Sequence, residues 1–374
     1  MPRDLRANRA RAGRRPSRPR LIIALCAIGL CTAQTARADR LVLVAGGGDR
    51  GDGAQAVEAR LHNPFGVDFG KSGGLYLVEL EGGHVHAVDA QGIFTTIAGT
   101  GAKGDSGDGG PGKNATFNAM HSLAIAPSGE IYIADTLNNR VRKIDPRSGL
   151  ITPFAGTGKK AYAGDGGPAL QADCGGIYCI AFSTDAKTLY LVDLDNRRIR
   201  AVDMQTGIIR LVAGNGERGV PADGAVAREA PLVDPRAVAA DSAGNVYVLE
   251  RSGHALRVVD RGGKIRTLAG TGQAGPAGED APALKATLRG PKHICVDRDQ
   301  NVLIADTDNH VIRKYVSKTG QLVRVAGTGK KGTAGVGGPP EAAEFNQPHG
   351  VAIDAAGTLF IVDSLNDRVL KIVK

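Results

Sequence analysis

Six positions spaced 56 to 58 residues apart carry side chains that could hold a small anion. Each lies just before a short apolar run, and the six residues are Phe65, His121, Tyr178, Arg236, Lys292 and His349. The next positions hold Gly66, Ser122, Cys179, Ala237, His293 and Gly350. No carboxylate occurs among these twelve, two are cationic, and the histidines can become so. Brought together, the first six would form a cationic collar with Phe65 and Tyr178 as apolar walls.

A metal-dependent enzyme is the competing interpretation of the same positions. His121, His293 and His349 could be compared with metal ligands, since a catalytic zinc takes three protein ligands and leaves one position open. His293, however, lies one position later than the other two, so strand alternation turns its ring away. No phosphate-binding loop motif occurs. We therefore expect a noncatalytic binding site without metal or cofactor, with a lyase or hydrolase as the alternative.

The elements that must position these residues are repeats. An Ala-Gly pair that follows a β-rich run recurs at steps of 53 to 58 residues, at Ala45, Ala98, Ala155, Ala213, Ala269 and Ala326. In each copy a strand ends in Ala-Gly, a long Gly-rich loop follows, and three short β runs come next. Self-similarity at one period predicts a repeat architecture whose units bury their faces against each other.

Four short antiparallel strands per copy predict a blade of a β-propeller. The expected fold is therefore all-β, a six-bladed propeller of four-stranded blades. The last copy stops after its third strand, Arg368–Val373, and the unpaired strand Leu41–Ala45 can supply the fourth. We expect the two ends of the chain to close the ring, which leaves no long open edge.

The turn after the second strand of a copy carries Asp and Asn in four copies, with Asp at 135, 193, 306 and 363. Such side chains bind backbone N–H groups in turns, which favours a structural role. The first and fourth copies replace Asp by Glu79 and Glu250 and Asn by Gly, and each places a histidine nearby, His84 and His254. These departures reflect either an old three-blade duplication or turns that contact a ligand or partner.

The repeated motifs resemble a known family. Ala98-Gly99-Thr100-Gly101, Ile131 to Asp135 and Asn138 to Asp145 look like the NHL repeat, and the likeness extends over residues 40–374. The resemblance implies a six-bladed NHL propeller, a fold that carries ligand-binding, protein-binding, RNA-binding and a few enzymatic members. Similarity to the peptide-amidating lyases would give the three histidines a metal. Similarity to the gluconolactonase propellers would require channel carboxylates, which the collar lacks.

The N-terminus has the order of a secretory signal peptide. An Arg-rich stretch ends at Arg20, residues 21–33 are uncharged and mostly apolar, and Ala36-Arg37-Ala38 fits a cleavage site. The apolar stretch is too short to span a bilayer comfortably. We therefore predict a signal peptide at 1–38, a propeller at 39–374, and a secreted or periplasmic protein with no membrane span after cleavage.

The formal net charge of +9 does not indicate a nucleic-acid partner. Nine basic residues and one acidic residue precede position 39, so the rest carries 38 basic and 37 acidic residues. A body this close to neutral has no general field that collects phosphate backbones. We expect a protein or a small anionic ligand as partner and no nucleic acid. Three cysteines follow the predicted signal, and whether Cys174 and Cys179 pair is left open.

Overall fold

Short strands rich in Val, Ile and Leu form six antiparallel sheets in a computed structural model of the chain. The structure describes residues 39–278 and 280–374. The predicted signal peptide at 1–38 lies outside the described residues and stays a prediction.

Each sheet begins at the centre of the molecule and continues outward. The innermost strands are Pro64–Phe69 (β2), Met120–Ile125 (β6), Ile177–Phe182 (β10), Pro235–Ala240 (β15), His293–Val296 (β20) and Pro348–Ile353 (β24). The second strands are Leu75–Glu79 (β3), Ile131–Asp135 (β7), Thr188–Asp193 (β11), Val246–Glu250 (β16), Val302–Asp306 (β21) and Leu359–Asp363 (β25). Neighbouring innermost strands pack side by side around one axis, and β2 packs against β24.

The outer half of each sheet follows the same order. The third strands are Val85–Val88 (β4), Arg140–Ile144 (β8), Arg198–Asp203 (β12), Ala255–Val259 (β17), Val311–Val316 (β22) and Arg368–Val373 (β26). The outermost strands are Phe94–Ala98 (β5), Ile151–Ala155 (β9), Ile209–Ala213 (β13), Lys264–Ala269 (β18), Gln321–Ala326 (β23) and, in the sixth sheet, Arg40–Gly46 (β1). The architecture is a six-bladed β-propeller, as predicted.

The ring closes through its two ends. Strand β1 pairs antiparallel with β26, with Leu41 opposite Ile372 and Leu43 opposite Leu370. The backbone of Leu41 also exchanges hydrogen bonds with Gly337 and Gly338 of the preceding loop. This confirms the predicted closure and covers the edge that β26 would otherwise expose.

Two blades carry more than the four predicted strands. The two-residue strands Ala225–Val226 (β14) and Ala281–Pro282 (β19) pair with the outer edges of β18 and β23. Short 3-10 turns lie in the loops, at Ala56–Glu58, Gly112–Asn114, Thr136–Asn138, Ala169–Gln171, Ala283–Lys285, Thr307–Asn309, Pro340–Ala342 and Ser364–Asn366. The extra pairings were missed because two residues are too few to leave a β pattern in a sequence.

The carboxylate that ends the second strand anchors the start of the innermost strand. The backbone N–H of Asn118 donates to Asp135, and the N–H of Gly175 donates to Asp193, at 2.8 and 2.7 Å. The amide of Asn138 donates to the other Asp135 oxygen at 2.8 Å. The predicted structural role is therefore present, but the backbone partner comes from the loop 17 or 18 residues upstream rather than from the same turn.

Candidate functional site: the collar at the channel mouth

The repeat places the six predicted site residues at one level of the ring. Five of them are the second residue of an innermost strand, and Lys292 directly precedes β20. Each innermost strand starts where the long Gly-rich loop ends, so these residues surround the channel on the loop-bearing face. We call this set the collar; it consists of Phe65, His121, Tyr178, Arg236, Lys292 and His349.

One side of the collar is an aromatic cluster. Phe65 stacks on His349 with ring centroids 4.1 Å apart and meets His121 edge-on at 4.7 Å. The rings of His121 and Tyr178 lie 4.2 Å apart. Phe65 and Tyr178 are only 4% and 5% exposed. The two residues predicted as apolar walls, Phe65 and Tyr178, therefore pack against the histidine rings of the collar.

The other side of the collar carries two cations. The guanidinium of Arg236 lies 4.6 Å from the centre of the Tyr178 ring. The ammonium of Lys292 donates a hydrogen bond of 2.6 Å to Nε2 of His349. Burial is the largest cause that lowers the pKa of Lys292, to about 8. The ammonium form still predominates at neutral pH, because that value lies above 7.

The histidines do not add positive charge, contrary to the sequence expectation. Burial lowers the pKa of His121 to about 3, and it lowers that of His349 well below its ordinary value, with Lys292 adding to the effect. Nδ1 of His121 lies 2.9 Å from the carbonyl oxygen of Ala119, which accepts a hydrogen bond from it. The collar therefore has two cations at neutral pH, Arg236 and Lys292, rather than four.

Two carboxylates from outside the twelve aligned positions, Asp234 and Asp308, lie near the collar. Asp234 approaches the guanidinium of Arg236 at 3.3 Å, and it also accepts a hydrogen bond from the hydroxyl of Ser252. Asp308 exerts a charge effect on Lys292 that opposes the effect of burial on its pKa. Within the described residues, however, no carboxylate lies within 4 Å of the Lys292 ammonium.

Small residues below the collar let the innermost strands approach closely. A Cβ on Gly66 would lie 2.9 Å from Cα of Ser122, and one on Gly350 would lie 2.4 Å from the Phe65 carbonyl oxygen. His293 is the large residue at this level, and its ring lines the channel beyond the collar. The small residues that follow the collar residues in each innermost strand therefore serve to pack neighbouring strands together.

A cavity of about 360 Å³ occupies the other end of the channel. It is lined by the later halves of the innermost strands and contains none of the collar residues. Its polar side chains include Asp68, whose pKa burial raises to about 6, and His293, whose pKa burial lowers to about 4. Asp68 accepts a hydrogen bond from the backbone N–H of Ile125 at 2.8 Å, which ties it to the neighbouring blade.

The three histidines of the enzymatic alternative do not converge. His293 faces the cavity and accepts a hydrogen bond from the backbone of Val351 at 3.4 Å, whereas His121 and His349 pack on Phe65. In the described ranges one group of three side chains has spacing suited to a metal, and it lies in the first blade: Glu79, His84 and His86. The sequence flagged Glu79 and His84 as departures, but His86 was overlooked.

The cysteines after the predicted signal are separate thiols. Cys174, Cys179 and Cys295 are all unpaired in the structure, so the open question of a Cys174–Cys179 bond is answered against pairing. Sγ of Cys174 lies 3.4 Å from a guanidinium nitrogen of the buried Arg200. Burial raises the pKa of the Cys174 thiol to about 12, and that of Cys179 to about 11. Neither thiol is poised to act as a nucleophile.

Among the described residues, none of the helices has the length and apolar character needed to cross a membrane.

No protein-family model matches the sequence. Similarity to curated proteins is nevertheless clear. The chain is 28% identical over 270 residues to protein SUPPRESSOR OF QUENCHING 1, chloroplastic, from Arabidopsis thaliana, covering 68% of this chain and 25% of that protein. It is 26% identical over 289 residues to NHL repeat-containing protein 2 from Bos taurus, covering 69% and 39%. The chain thus spans between a quarter and two fifths of these relatives.

Solved structures match the fold over most of the chain. A protein of unknown function from Bacteroides thetaiotaomicron superposes with a TM-score of 0.67 at 17% identity, over 90% of this chain and 76% of that one. An auxiliary nutrient binding protein from Bacteroides ovatus gives 0.65 at 16% identity, with the same coverage. Virginiamycin B lyase from Staphylococcus aureus gives 0.50 at 12%, over 84% and 97%. At these identities the likeness is one of fold. The chain is therefore a six-bladed β-propeller whose repeats are similar to those of NHL repeat-containing protein 2.

Proposed function

We propose that this propeller is a noncatalytic binding protein that holds an anionic group at the collar. The group is a small anion or an acidic side chain of a protein partner. The NHL-like propeller supports a binding role in general, and the similarity in fold to an auxiliary nutrient binding protein is compatible with it. The collar offers charge and aromatic surface but, in the described residues, no arrangement of nucleophile and base that would suggest chemistry.

Lys292 is the observation that carries this proposal. Its ammonium is largely removed from water, its hydrogen-bond partner is the neutral ring of His349, and Asp308 affects it only from beyond ion-pair distance. A buried charge without a close counter-charge is costly, so the site gains stability when an anion arrives. Arg236 lies in the adjacent blade as a second donor whose planar fork suits carboxylates and phosphates.

Calorimetric titration of the purified protein tests the site. Inorganic phosphate, citrate and an acidic peptide serve as probes, so that a small-molecule and a protein-borne anion are distinguished. We expect Lys292→Met to weaken binding of the preferred anion about tenfold or more, since a hydrogen bond to a charged group contributes roughly 1.5–3 kcal/mol. Arg236→Met should weaken it as well. The exposed Lys113 is the matched control, because Lys113→Met removes a cation far from the collar. Undiminished affinity in Lys292→Met would refute the proposal.

We also propose that the protein is exported and works outside the cytoplasm. The order of charge, apolar stretch and cleavage pattern in residues 1–38 is the support for this. N-terminal sequencing of the protein recovered from an extracytoplasmic fraction should begin at Asp39. Recovery of the chain from the cytoplasm with Met1 or Pro2 at its start would contradict export.

A further inference from the structure

Most blades neutralise a buried carboxylate with an arginine. In blade two Nη1 of Arg142 lies 3.6 Å from Asp135, and in blade three Nη1 of Arg200 lies 3.4 Å from Asp193. Blade four pairs Arg257 with Glu250, and blade six pairs Arg368 with Asp363 at 2.8 Å. These carboxylates are fully buried, so an adjacent cation is needed to keep them ionised.

The first blade has no arginine at this place. Strand pairing puts His86 opposite Leu77, where the third strands of blades two to four put Arg142, Arg200 and Arg257. The carboxylate here is Glu79, 1% exposed. Its Oε2 atom lies 3.3 Å from Nε2 of His86 and 3.4 Å from Nδ1 of His84. Its Oε1 atom accepts a hydrogen bond from the backbone N–H of His62 at 2.7 Å.

A hydrogen-bond chain behind His86 sets the position of its proton. The hydroxyl of Thr96 donates to Asp52 at 2.7 Å, because a carboxylate can only accept. The Thr96 oxygen is then available to accept from Nδ1 of His86, 3.1 Å away. In the neutral ring Nε2 therefore carries a lone pair. That atom is buried, lacks a hydrogen-bond partner in the described structure, and points at a carboxylate oxygen.

Blade four contains the same chain of hydrogen bonds, with the guanidinium of Arg257 in the place of the His86 ring. The N–H and hydroxyl of Thr267 donate to Asp223, a guanidinium nitrogen of Arg257 donates to Thr267 at 2.7 Å, and Arg257 pairs with Glu250. Aspartate, threonine and glutamate thus recur in blades one and four, with imidazole in place of guanidinium in blade one. A neutral imidazole leaves Glu79 without the positive charge that its counterpart receives.

The spacing of the three side chains suits a metal ion. All three candidate ligand atoms lie within 4.8 Å of one another. A tetrahedral zinc with bonds of about 2.0–2.2 Å separates its ligands by about 3.3–3.5 Å, close to the two carboxylate-to-imidazole distances here. Thr96 and Asp52 supply the outer hydrogen bonds that orient a metal-binding histidine. His84 is 30% exposed, so an ion can reach the site from solvent.

We propose that Glu79, His84 and His86 bind a divalent transition-metal ion, zinc foremost, which supplies the positive charge that arginine supplies in blades two, three, four and six. Two imidazole nitrogens and one carboxylate oxygen are the donor set that zinc accepts, with a fourth position left for water or a ligand. The ion would join the second and third strands of the first blade at the loop-bearing face. The site is independent of anion binding at the collar.

The test uses purified protein without a histidine tag. After equilibration with zinc and removal of the excess, elemental analysis should find about one zinc per chain. Cobalt should give the visible absorption of a tetrahedral ion. His86→Arg copies the arrangement of blade four, so this variant should fold and lose at least about 100-fold in zinc affinity. His62→Ala is the control, because only the backbone of His62 contacts Glu79.

Thermal unfolding provides a second readout. Zinc should raise the Tm of the wild type and of His62→Ala, and EDTA should reverse this, while His86→Arg responds to neither. Two outcomes would overturn the proposal. One is zinc binding of equal strength in His86→Arg. The other is a wild type that takes up no stoichiometric zinc or cobalt.

Discussion

Lys292 is the residue on which the proposed anion site depends most. Burial lowers its pKa to about 8, Asp308 partly opposes this, and Arg251 and Arg236 add to it. An anion that pairs with the ammonium favours the charged form, so binding raises this pKa. Proton uptake and anion binding are therefore linked at this residue.

This linkage predicts the pH dependence of the collar. Below about pH 8 Lys292 is already protonated and affinity is highest; above it affinity falls, because the proton must be supplied on binding. Calorimetry at pH 8 in two buffers of different ionisation enthalpy should detect proton uptake in the wild type and none in Lys292→Met. A flat affinity between pH 7 and 9 would argue against Lys292 as the anion ligand.

The buried arginines predict large losses of stability. Arg142 is 0% exposed and donates to Asp108, to the Thr116 carbonyl and to the Ser106 carbonyl at 2.8–2.9 Å. We expect Arg142→Met to lower the free energy of unfolding by about 3–5 kcal/mol, because it removes the nearer guanidinium from the buried Asp135 and leaves two buried carbonyls without their donor. Urea unfolding measures the change. Lys143→Met, which alters the next residue of the strand, should change it by less than about 1 kcal/mol.

Repeat alignment could predict the collar residues but not their chemistry. Phe65 and His349 are brought together because both hold the same place in adjacent blades. The Lys292–His349 hydrogen bond and the approach of Asp234 could not be predicted, since they depend on side-chain directions. The low pKa values of the histidines were also missed, because they depend on burial at the ring centre.

At the scale of elements, β1 is the strand whose position has the widest consequence. Leu41 is fully buried, and its blade is completed from opposite ends of the chain. We expect Leu41→Ala to destabilise the fold by about 2–5 kcal/mol, because it removes core packing at the closure. Urea unfolding compares it with Val42→Ala, whose side chain is only half-buried.

Removal of residues 39–46 is the stronger test of the same closure. It should expose the edge of β26 and cause aggregation or a large fall in Tm. A chain that begins at Ala38 and keeps β1 is the matched control. A shortened chain that unfolds at the control's Tm would contradict the closure.

Strand order could be predicted because every blade repeats one pattern, whereas strand limits were less certain. The first strand of blade two was expected from its apolar run but begins earlier, at Met120, so that His121 lies within the strand. The contact between His86 and Thr96 depends on the register of β4 against β5, which the repeat does not specify.

At the scale of the whole molecule, charge predicts the absence of nucleic-acid binding. Residues 39–374 are nearly neutral, and the excess of arginine lies before them. A chain that begins at Ala38 should show no tight RNA binding in filter-binding titrations at physiological salt, because few counterions would be released. Tight, salt-sensitive binding by that chain would reveal a basic surface that the net charge conceals.

The two ends of the channel offer different environments. The loop-bearing mouth has Lys292 and Arg236 above packed aromatic rings, and the other end has a cavity with the buried Asp68 and His293. A negative ligand is favoured at the first and disfavoured near the Asp68 carboxylate. We therefore expect an anion to bind at the loop-bearing mouth rather than at the opposite end of the channel.

A crystal structure of the protein soaked with a heavy anion such as selenate tests this most directly. We expect anomalous density within hydrogen-bond distance of the Lys292 ammonium on the loop-bearing face, and its loss in crystals of Lys292→Met. Density confined to the opposite cavity, or density at the collar that persists without Lys292, would contradict it.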